Sequence, residues 1–539
     1  MTLNRKQRFL ASIISGTALF LAFPHTGSLT PLIFLGFIPL LVIEEHIHKS
    51  GLPSRNLLIH SFVAFLIFNI GTSWWIWNAD PGGAIFAFLF NTVVMTAVFQ
   101  AFHFTRKHIG SKQGYLSFPF YWIGFEYLHN HWEFAHPWLT LGNTFSIRTS
   151  WIQWYEYTGV SGGTLWVLTM NLLCFLLLMN WKQKKAIKGT SIVLAIFLIT
   201  PLIVSFICSA TYGSMINKNK EYIHAVIVQP NVDPYNEKFE ESTFFNQNQK
   251  ILKLAGTKVE KNTDLILAPE TAISGTFLES RLKSLFIYPM YRDSLKKWNT
   301  NLLIGASTMV FFNKKNSNAS RTLENGNIIE YYNTSLLMGS NQEPSFIHKS
   351  KLVPGVEQIP YAHYIPFLET LAIENGGIVG SLGIEDSVKI MQIAKGKIAP
   401  IVCYESVFSE FVAAQTNIGA QLLCVITNDG WWGDTPGYKQ HFSFARLRAI
   451  ENRRWLIRSA NTGKSGVIDP TGKVIEETKW WEEKALAATV ELLNTKTIYA
   501  TLGDYLGRSS AFLSVFIFIF AISKKIKPNH RKNDKRSTK

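Results

Sequence analysis

Hydrophobic positions are spread very unevenly along this chain of 539 residues. Long apolar stretches crowd the first ~210 residues and return near residue 510, and about 20 consecutive apolar residues are enough to cross a bilayer as a helix. We predict seven spans before a central region and an eighth after it, at about 8–24, 31–45, 57–77, 83–103, 115–130, 161–180, 190–209 and 507–523. The predicted seven-span membrane domain covers residues 1–210.

The central region, residues 221–495, has the pattern of an α/β domain. Helical patterns at 279–299 and 406–418 separate short apolar runs that are typical of buried strands. These runs are "YIHAVIVQPN" (222–231), "DLILAPE" (264–270), "NLLIGAST" (301–308), "KIAPIVCYE" (397–405), "AQLLCVITND" (420–429) and "WLIRSAN" (455–461). The alternation predicts a layered α/β domain inserted between the seventh and eighth spans.

The charge pattern indicates a membrane topology. The net charge of +16 could suggest a nucleic-acid partner, but the excess Lys and Arg lie in alternate short loops and in the basic tail, residues 524–539. Basic residues collect on the cytoplasmic side of membrane proteins. We therefore expect both termini in the cytoplasm, the 221–495 domain outside it, and no nucleic-acid partner. If the weak span at 115–130 does not cross, this topology is reversed.

The segment 131–160 is rich in Trp and Tyr and poor in charge. Aromatic rings of this kind prefer the boundary between membrane and water, so the segment is expected along the outer surface. Two interpretations stay open at this point. The segment is either a simple interfacial belt or part of the wall of a lipid pocket.

Three ionisable residues at predicted strand ends or in adjoining loops carry the candidate chemistry: Glu270, Lys349 and Cys403. A thiol needs a base or a nearby cation to act as a nucleophile at neutral pH. The carboxylate and the ammonium supply both, so the set suits acyl transfer. Alone, a cysteine in an apolar strand is more often a core residue, as we expect for Cys424, and a disulfide between Cys403 and Cys424 stays open.

Three sequence blocks resemble a known family. "APETAISG", "HKSKLVPGVEQIPY" and "IVCYESVF" are similar to the blocks that supply Glu, Lys and Cys, in that order, in the nitrilase or carbon–nitrogen hydrolase superfamily. With its spans, and with "HPWLTLGN" (136–143) and "TNDGWWG" (427–433), the chain resembles the apolipoprotein N-acyltransferases, the integral membrane members of that superfamily. The implied fold is a polytopic α-helical membrane domain of about eight spans plus an extracytoplasmic nitrilase-like αββα sandwich.

The resemblance implies a role for each matching residue. Glu270 is expected to be the general base, Lys349 the cation that stabilises the oxyanion, and Cys403 the nucleophile. Glu357 would orient the lysine or assist proton transfer, and the backbone N–H of Tyr404 is a candidate second oxyanion donor. The other supporting or lid residues are Glu405, Asn333, Phe239 and Trp431.

Two positions depart from the family pattern. The segment 354–357 reads "PGVE" where the family often has "PFGE", which keeps the glutamate and puts the preceding turn in doubt. Phe239 stands where many members have a Trp.

The implied reaction moves an acyl chain from a phospholipid, with phosphatidylethanolamine the expected donor, through a cysteine thioester. The acceptor is the α-amine of the N-terminal diacylglyceryl-cysteine of an apolipoprotein, at the bacterial inner membrane. No cofactor and no metal are expected, because "HIH" (46–48) and "HNH" (129–131) are too short and isolated for a metal site.

Two alternatives remain. A membrane-tethered amidase would use the same three residues with water in place of the amine. A transporter or scaffold would need polar residues deep in several spans, and these spans hold few.

Overall fold

The computed structural model describes residues 3–214, 221–238, 240–364 and 381–526. Its helices are α1 (Arg5–Ala22), α2 (Ile38–Lys49), α3 (Arg55–Ser73), α4 (Pro81–Ile109), α5 (Ser111–His129), α6 (Tyr155–Lys182), α7 (Lys188–Ser214), α8 (Phe244–Gly256), α9 (Tyr288–Trp298), α10 (Ser409–Asn417), α11 (Pro436–Asn452), α12 (Ile498–Leu502) and α13 (Tyr505–Ile526). Its strands are β1 (Tyr222–Gln229), β2 (Leu265–Leu267), β3 (Ile273–Leu278), β4 (Asn301–Phe312), β5 (Arg321–Thr322), β6 (Ile328–Gly339), β7 (Ser345–His348), β8 (Met391–Ile393), β9 (Gly396–Val402), β10 (Leu422–Thr427), β11 (Leu456–Ala460), β12 (Gly466–Ile468), β13 (Val474–Glu477) and β14 (Lys484–Glu491).

A helix lies at each of the eight predicted spans. Six of the helices within the described ranges are long and apolar enough to cross a membrane, and α1 and α5 are outside that group. Both α7 and α13 present large apolar side chains outward, such as Phe206 (74% exposed) and Phe512 (64% exposed). Such surfaces are stable in contact with lipid and unfavourable in water.

The helical part has an aromatic core that also contains buried charges. Phe37 packs edge-on against Trp122 and Phe118. Near the ends of α2 and α4, the buried guanidinium of Arg106 is paired with the carboxylates of Glu44 and Glu45. Charges are thus present among these helices, and they neutralise one another, as buried charges must.

The 221–495 region folds as two sheets packed face to face. One sheet has the order β14-β1-β2-β4-β6-β5, with β3 on β4 and β7 on β6, and the other has the order β13-β12-β11-β10-β9-β8. Apolar side chains from both sheets share one core, for example Ile227, Leu303 and Ile426. Helices α8 and α9 cover the outer face of the first sheet, and α10 and α11 cover that of the second. The predicted αββα sandwich beside an apolar helical region is confirmed.

Each of the six predicted strands is present, but two long strands, β6 and β14, were not predicted. Strand β6 reads "IIEYYNTSLLMG" and is buried along most of its length. It hides polar residues such as Glu330, Asn333 and Ser335, so it lacks the apolar run by which a buried strand is recognised.

The segment 131–160 joins the two parts of the molecule. It forms short 3₁₀ helices, and Trp138 is buried against α11, where its Nε1 donates to Gln440 Oε1 over 2.7 Å. Trp75, in the short 3₁₀ helix Trp74–Asn78 that follows α3, donates to the same oxygen over 3.2 Å. Helix α11 is therefore held on the helical part of the molecule through the buried Gln440 amide and through further contacts, such as Ser443 Oγ to Ser146 Oγ at 2.8 Å. The segment is thus more than a belt at the surface.

Candidate active site

Glu270 follows β2 and lies at the edge of the first sheet. Gly305 of β4 lets the backbone of Glu270 pack closely against β4, because a Cβ at position 305 would lie only 2.5 Å from the Glu270 Cα. The buried carboxylate accepts three hydrogen bonds: from Asn333 Nδ2 (2.8 Å), Lys349 Nζ (3.3 Å) and the Asn428 backbone N–H (3.0 Å). Donors surround it, as an ionised carboxylate requires.

Lys349 follows β7, and its backbone N–H donates to Asn333 O over 2.8 Å, which extends the pairing with β6. The ammonium is 1% exposed and lies between Glu357 and Glu270. Burial alone would lower the pKa of Lys349, but Glu357, Glu270 and Cys403 outweigh it and raise that pKa above its ordinary value. The neighbouring carboxylates therefore favour the charged form of Lys349 in a buried site.

Asn333 and Glu357 complete a closed hydrogen-bonded group around the lysine. Asn333 Nδ2 donates to both carboxylates, at 2.8 Å from Glu270 Oε1 and 2.8 Å from Glu357 Oε1. Glu357 is itself fixed, because its Oε2 accepts from the Val353 backbone N–H over 2.8 Å. The "PGVE" turn thus places its glutamate beside Lys349.

Cys403 follows β9 and begins a 3₁₀ helix, Cys403–Val407. Its backbone φ is +50°, a left-handed conformation that is strained for a residue with a side chain and is frequent at functional sites. Burial and the Glu270 carboxylate raise the pKa of the Cys403 thiol, whereas Lys349 lowers it. All four cysteines lie in the described ranges and are free, so Cys403 and Cys424 form no disulfide.

The two residues after the cysteine tie this turn to its surroundings. Tyr404 Oη donates to Ala135 O over 3.0 Å, which links the turn to the 131–160 segment. Glu405 accepts from the backbone N–H groups of Val402 (2.7 Å) and Ser350 (2.6 Å). Burial raises the pKa of Glu405 to about 7, against these hydrogen bonds. Glu405 thus joins the cysteine turn to the loop that carries Lys349. Its carboxylate is occupied by backbone N–H groups, so its contacts are those of a structural link rather than a base.

A second buried lysine was missed by the sequence interpretation. Lys238 is 3% exposed, and its Nζ donates to Glu270 O over 3.1 Å. With the side-chain oxygen of Asn428 turned toward it, that oxygen accepts from Lys238 at 3.2 Å and from Trp431 Nε1 at 3.2 Å. Burial lowers the pKa of Lys238 to about 8, although Glu270 and Cys403 act in the opposite direction.

No sequence pattern pointed to Lys238, because it lies in a turn nine residues beyond the end of β1. The neighbouring Phe239, predicted as a lid residue, lies outside the described residues.

Among the described residues, the side chains of Cys403, Asp429 and His441 come closest to a metal-ligand arrangement, because their ligand atoms lie within 4.8 Å of one another. His441 Nδ1 is 2.8 Å from Asp429 Oδ1, and Asp429 Oδ2 accepts from Arg458 Nη2 over 2.6 Å. Arg458 already neutralises the carboxylate, and the imidazole is already hydrogen-bonded to it. These side chains therefore form a self-satisfied ionic group rather than an open ligand set.

Known protein families match both parts of this chain. The family model for carbon–nitrogen hydrolases matches residues 225–499, and the model for the apolipoprotein N-acyltransferase N-terminal domain matches residues 15–173. The apolipoprotein N-acyltransferase of Chlorobaculum tepidum is 31% identical over 508 residues, covering 92% of this chain and 93% of the relative. This chain belongs to the apolipoprotein N-acyltransferase family.

Other members of the apolipoprotein N-acyltransferase family match over similar lengths. The Geobacter metallireducens protein is 25% identical over 527 residues, covering 93% of this chain and 92% of that protein. Among solved structures, Saccharomyces cerevisiae Nit3, of the nitrilase superfamily, aligns with a TM-score of 0.36 and 15% identity, over 50% of this chain and 90% of that chain. The resemblance seen in the sequence blocks is confirmed by the family models.

Proposed function

We propose that this chain is a phospholipid:apolipoprotein N-acyltransferase. It moves a fatty acyl chain from a phospholipid to the α-amine of the N-terminal diacylglyceryl-cysteine of an apolipoprotein. The observation that carries the proposal is the buried group formed by Glu270, Lys349, Asn333 and Glu357 beside a free cysteine held at φ +50°. A carboxylate and an ammonium close enough to act on the thiol support the proposal, as do the neighbouring helices that fit a lipid environment.

In the first step, Cys403 attacks the ester carbonyl carbon of the phospholipid. Its thiol proton passes to Glu270, and the new C–S bond leaves an oxyanion that Lys349 and the Tyr404 N–H stabilise. The ester C–O bond then breaks, and the departing lysophospholipid oxygen takes the proton from Glu270. The products are an acyl thioester on Cys403 and a lysophospholipid.

In the second step, the amine of the apolipoprotein attacks the thioester carbonyl. Glu270 accepts a proton from the amine, the C–S bond breaks, and the proton returns to the thiolate. The product is an amide, and Cys403 is free again. Because the two substrates react in turn at one thiol, the kinetics are ping-pong.

The helices explain how both substrates reach the thiol. Each substrate is anchored in lipid, and a site held against the bilayer raises the effective concentration of both. The expected donor is phosphatidylethanolamine. The expected topology has both termini in the cytoplasm and the αββα domain on the periplasmic side, as the basic loops indicate.

Reconstitution in vesicles tests this function. The full chain is incubated with phospholipid and a synthetic diacylated lipopeptide, and N-acylated peptide is measured by mass spectrometry. We expect product with the unaltered chain and with Cys424→Ala, and none with Cys403→Ala. Fatty acid and lysophospholipid released without N-acylated peptide would instead identify a membrane-tethered hydrolase.

A further inference from the structure

A buried ionic group that has no part in the proposed chemistry lies beside the cysteine turn. His441, on α11, is fully buried, and its Nδ1 lies 2.8 Å from Asp429 Oδ1. Asp429 is also fully buried and accepts from Arg458 Nη2 (2.6 Å) and Thr427 Oγ1 (2.9 Å). Burial would raise the pKa of Asp429, but Arg458 and His441 hold it at about 2. Arg458 Nη2, which can only donate, also lies 3.0 Å from His441 Nδ1, so Asp429 and Arg458 together hold this side of the ring.

The other side of the imidazole faces the nucleophile's backbone. His441 Nε2 lies 2.8 Å from Ser406 Oγ and 3.2 Å from Cys403 O. Ser406 Oγ lies 2.7 Å from the same carbonyl oxygen. His441 and Ser406 therefore both contact the backbone carbonyl of Cys403. The left-handed backbone conformation of Cys403 sets the direction of its thiol. A strained conformation persists only where its surroundings fix it.

We propose that His441 is a positioning residue for Cys403. It acts through Ser406 to fix the Cys403 carbonyl, and Asp429 and Arg458 hold the ring in one orientation. The inference rests on the proposed function of Cys403 as the nucleophile. His441 does not take the thiol proton, since Nε2 is engaged with Ser406 and the Cys403 carbonyl, and Glu270 remains the base.

Two amide substitutions separate the two sides of the ring. In His441→Gln the amide can reach the position of Nε2 and keep the contact with Ser406. In His441→Asn it can reach the position of Nδ1 and keep only the contact with Asp429. Acyl-adduct formation on Cys403 is measured in the full chain in detergent micelles, with His441→Leu as the loss variant. His224→Gln is the control, because the half-buried His224 ring contacts Thr489 Oγ1 at 2.9 Å near the edge of the first sheet.

We expect acyl-adduct formation to slow by about 3- to 10-fold in His441→Gln and by about 30- to 100-fold in His441→Asn and His441→Leu. The KM for phospholipid should stay within about twofold of that of the unaltered chain. Ser406→Ala should match His441→Asn. Equal losses in all three His441 variants that track their melting temperatures would overturn the proposal and leave a structural role only.

Alkylation of Cys403 by iodoacetamide gives a readout that needs no acyl donor. We expect the alkylation rates of the His441 variants to fall in the same order as their rates of acyl-adduct formation. The midpoint of the pH dependence of alkylation should be unchanged in every His441 variant. A midpoint that moves in all of them would make His441 a base and overturn the positioning role. If the unaltered chain forms no acyl adduct, the proposed function fails, and the alkylation order still decides this inference.

Discussion

Lys349 is paired more closely with Glu357 than with the proposed base: its Nζ lies 2.9 Å from Glu357 Oε1 and 3.3 Å from Glu270 Oε1. Glu357 therefore holds the Lys349 ammonium in place, and the Glu270 carboxylate stays available to accept a proton. We therefore expect Glu357 to act on the reaction through Lys349.

Glu357→Gln tests this relationship. The amide keeps the size of the side chain but removes the charge, so Lys349 turns toward Glu270 and competes for the proton-accepting oxygen. Losing a charged hydrogen-bond partner costs ~1.5–3 kcal/mol, which corresponds to a fall of about 10- to 100-fold in the rate of thioester formation. Glu343→Gln is the control, because the exposed Glu343 pairs only with Lys283 within the described residues. An unchanged rate in Glu357→Gln would remove Glu357 from the site.

Glu270→Gln tests the base. The amide can still accept from Asn428 N–H, but it cannot take the thiol proton. We expect thioester formation to fall by about 10²- to 10⁴-fold, the usual contribution of a general base. Stopped-flow release of lysophospholipid in a single turnover measures this step. A loss confined to the second step, with thioester formation intact, would contradict the assignment.

Lys238 gives a prediction with a defined pH window. Its pKa is about 8, so the ammonium near Glu270 and Cys403 is present below that pH and lost above it. Lys238→Met should therefore be about 5- to 20-fold slower than the unaltered chain at pH 7, and the two rates should converge above about pH 9. Lys238→Arg keeps its charge and should not show the decline. Exposed Lys253 on α8, changed to Met, is the control.

The lowered pKa of Lys238 also determines how the free energy of unfolding changes with pH. The pKa of Lys238 in the folded chain lies below its ordinary value of 10.5, so the unfolded chain binds more protons between about pH 8 and 10.5. This group therefore makes the folded state more stable as pH rises through that window. In Lys238→Met the contribution is absent, and denaturant titrations at pH 8 and pH 10 compare the two proteins.

Gln440 offers a test of how the two parts are joined. Its buried amide accepts from Trp138 and Trp75 and donates to Pro24 O over 3.0 Å. Gln440→Ala leaves the buried Trp138 indole N–H without its acceptor, whereas Trp75 keeps its bond to Thr72 O at 3.1 Å, so the free energy of unfolding should fall by ~1–3 kcal/mol. The melting temperature in detergent should drop by several degrees, compared with Gln392→Ala, an exposed glutamine at β8. An equal effect of both substitutions would contradict this role.

The sequence was informative where the chemistry lies at strand ends. Glu270, Lys349 and Cys403 could be named because each stands beside a run or block with its own pattern, and six of the eight helices at the predicted spans are long and apolar enough to be found from the sequence. The order of the strands in the sheets was not predicted, because pairing across the sandwich depends on contacts distant in sequence.

The residues that were missed share a physical cause. Lys238 lies in a turn, and His441 lies on a helix face that points inward only once α11 packs against the second sheet. A polar residue in such a position looks solvated in a linear sequence. Their roles depend on burial, which only the assembled fold reveals.

The central claim is that Cys403 carries the acyl chain, and mass spectrometry of the intact protein tests it most directly. The full chain is incubated with phospholipid of defined acyl composition, quenched and digested, and the peptide that contains Cys403 is weighed before and after a diacylated lipopeptide is added. The account predicts one acyl adduct on Cys403 that disappears as N-acylated peptide forms, with no adduct in Cys403→Ala. Product formation without any adduct on Cys403 at times shorter than one turnover would contradict it.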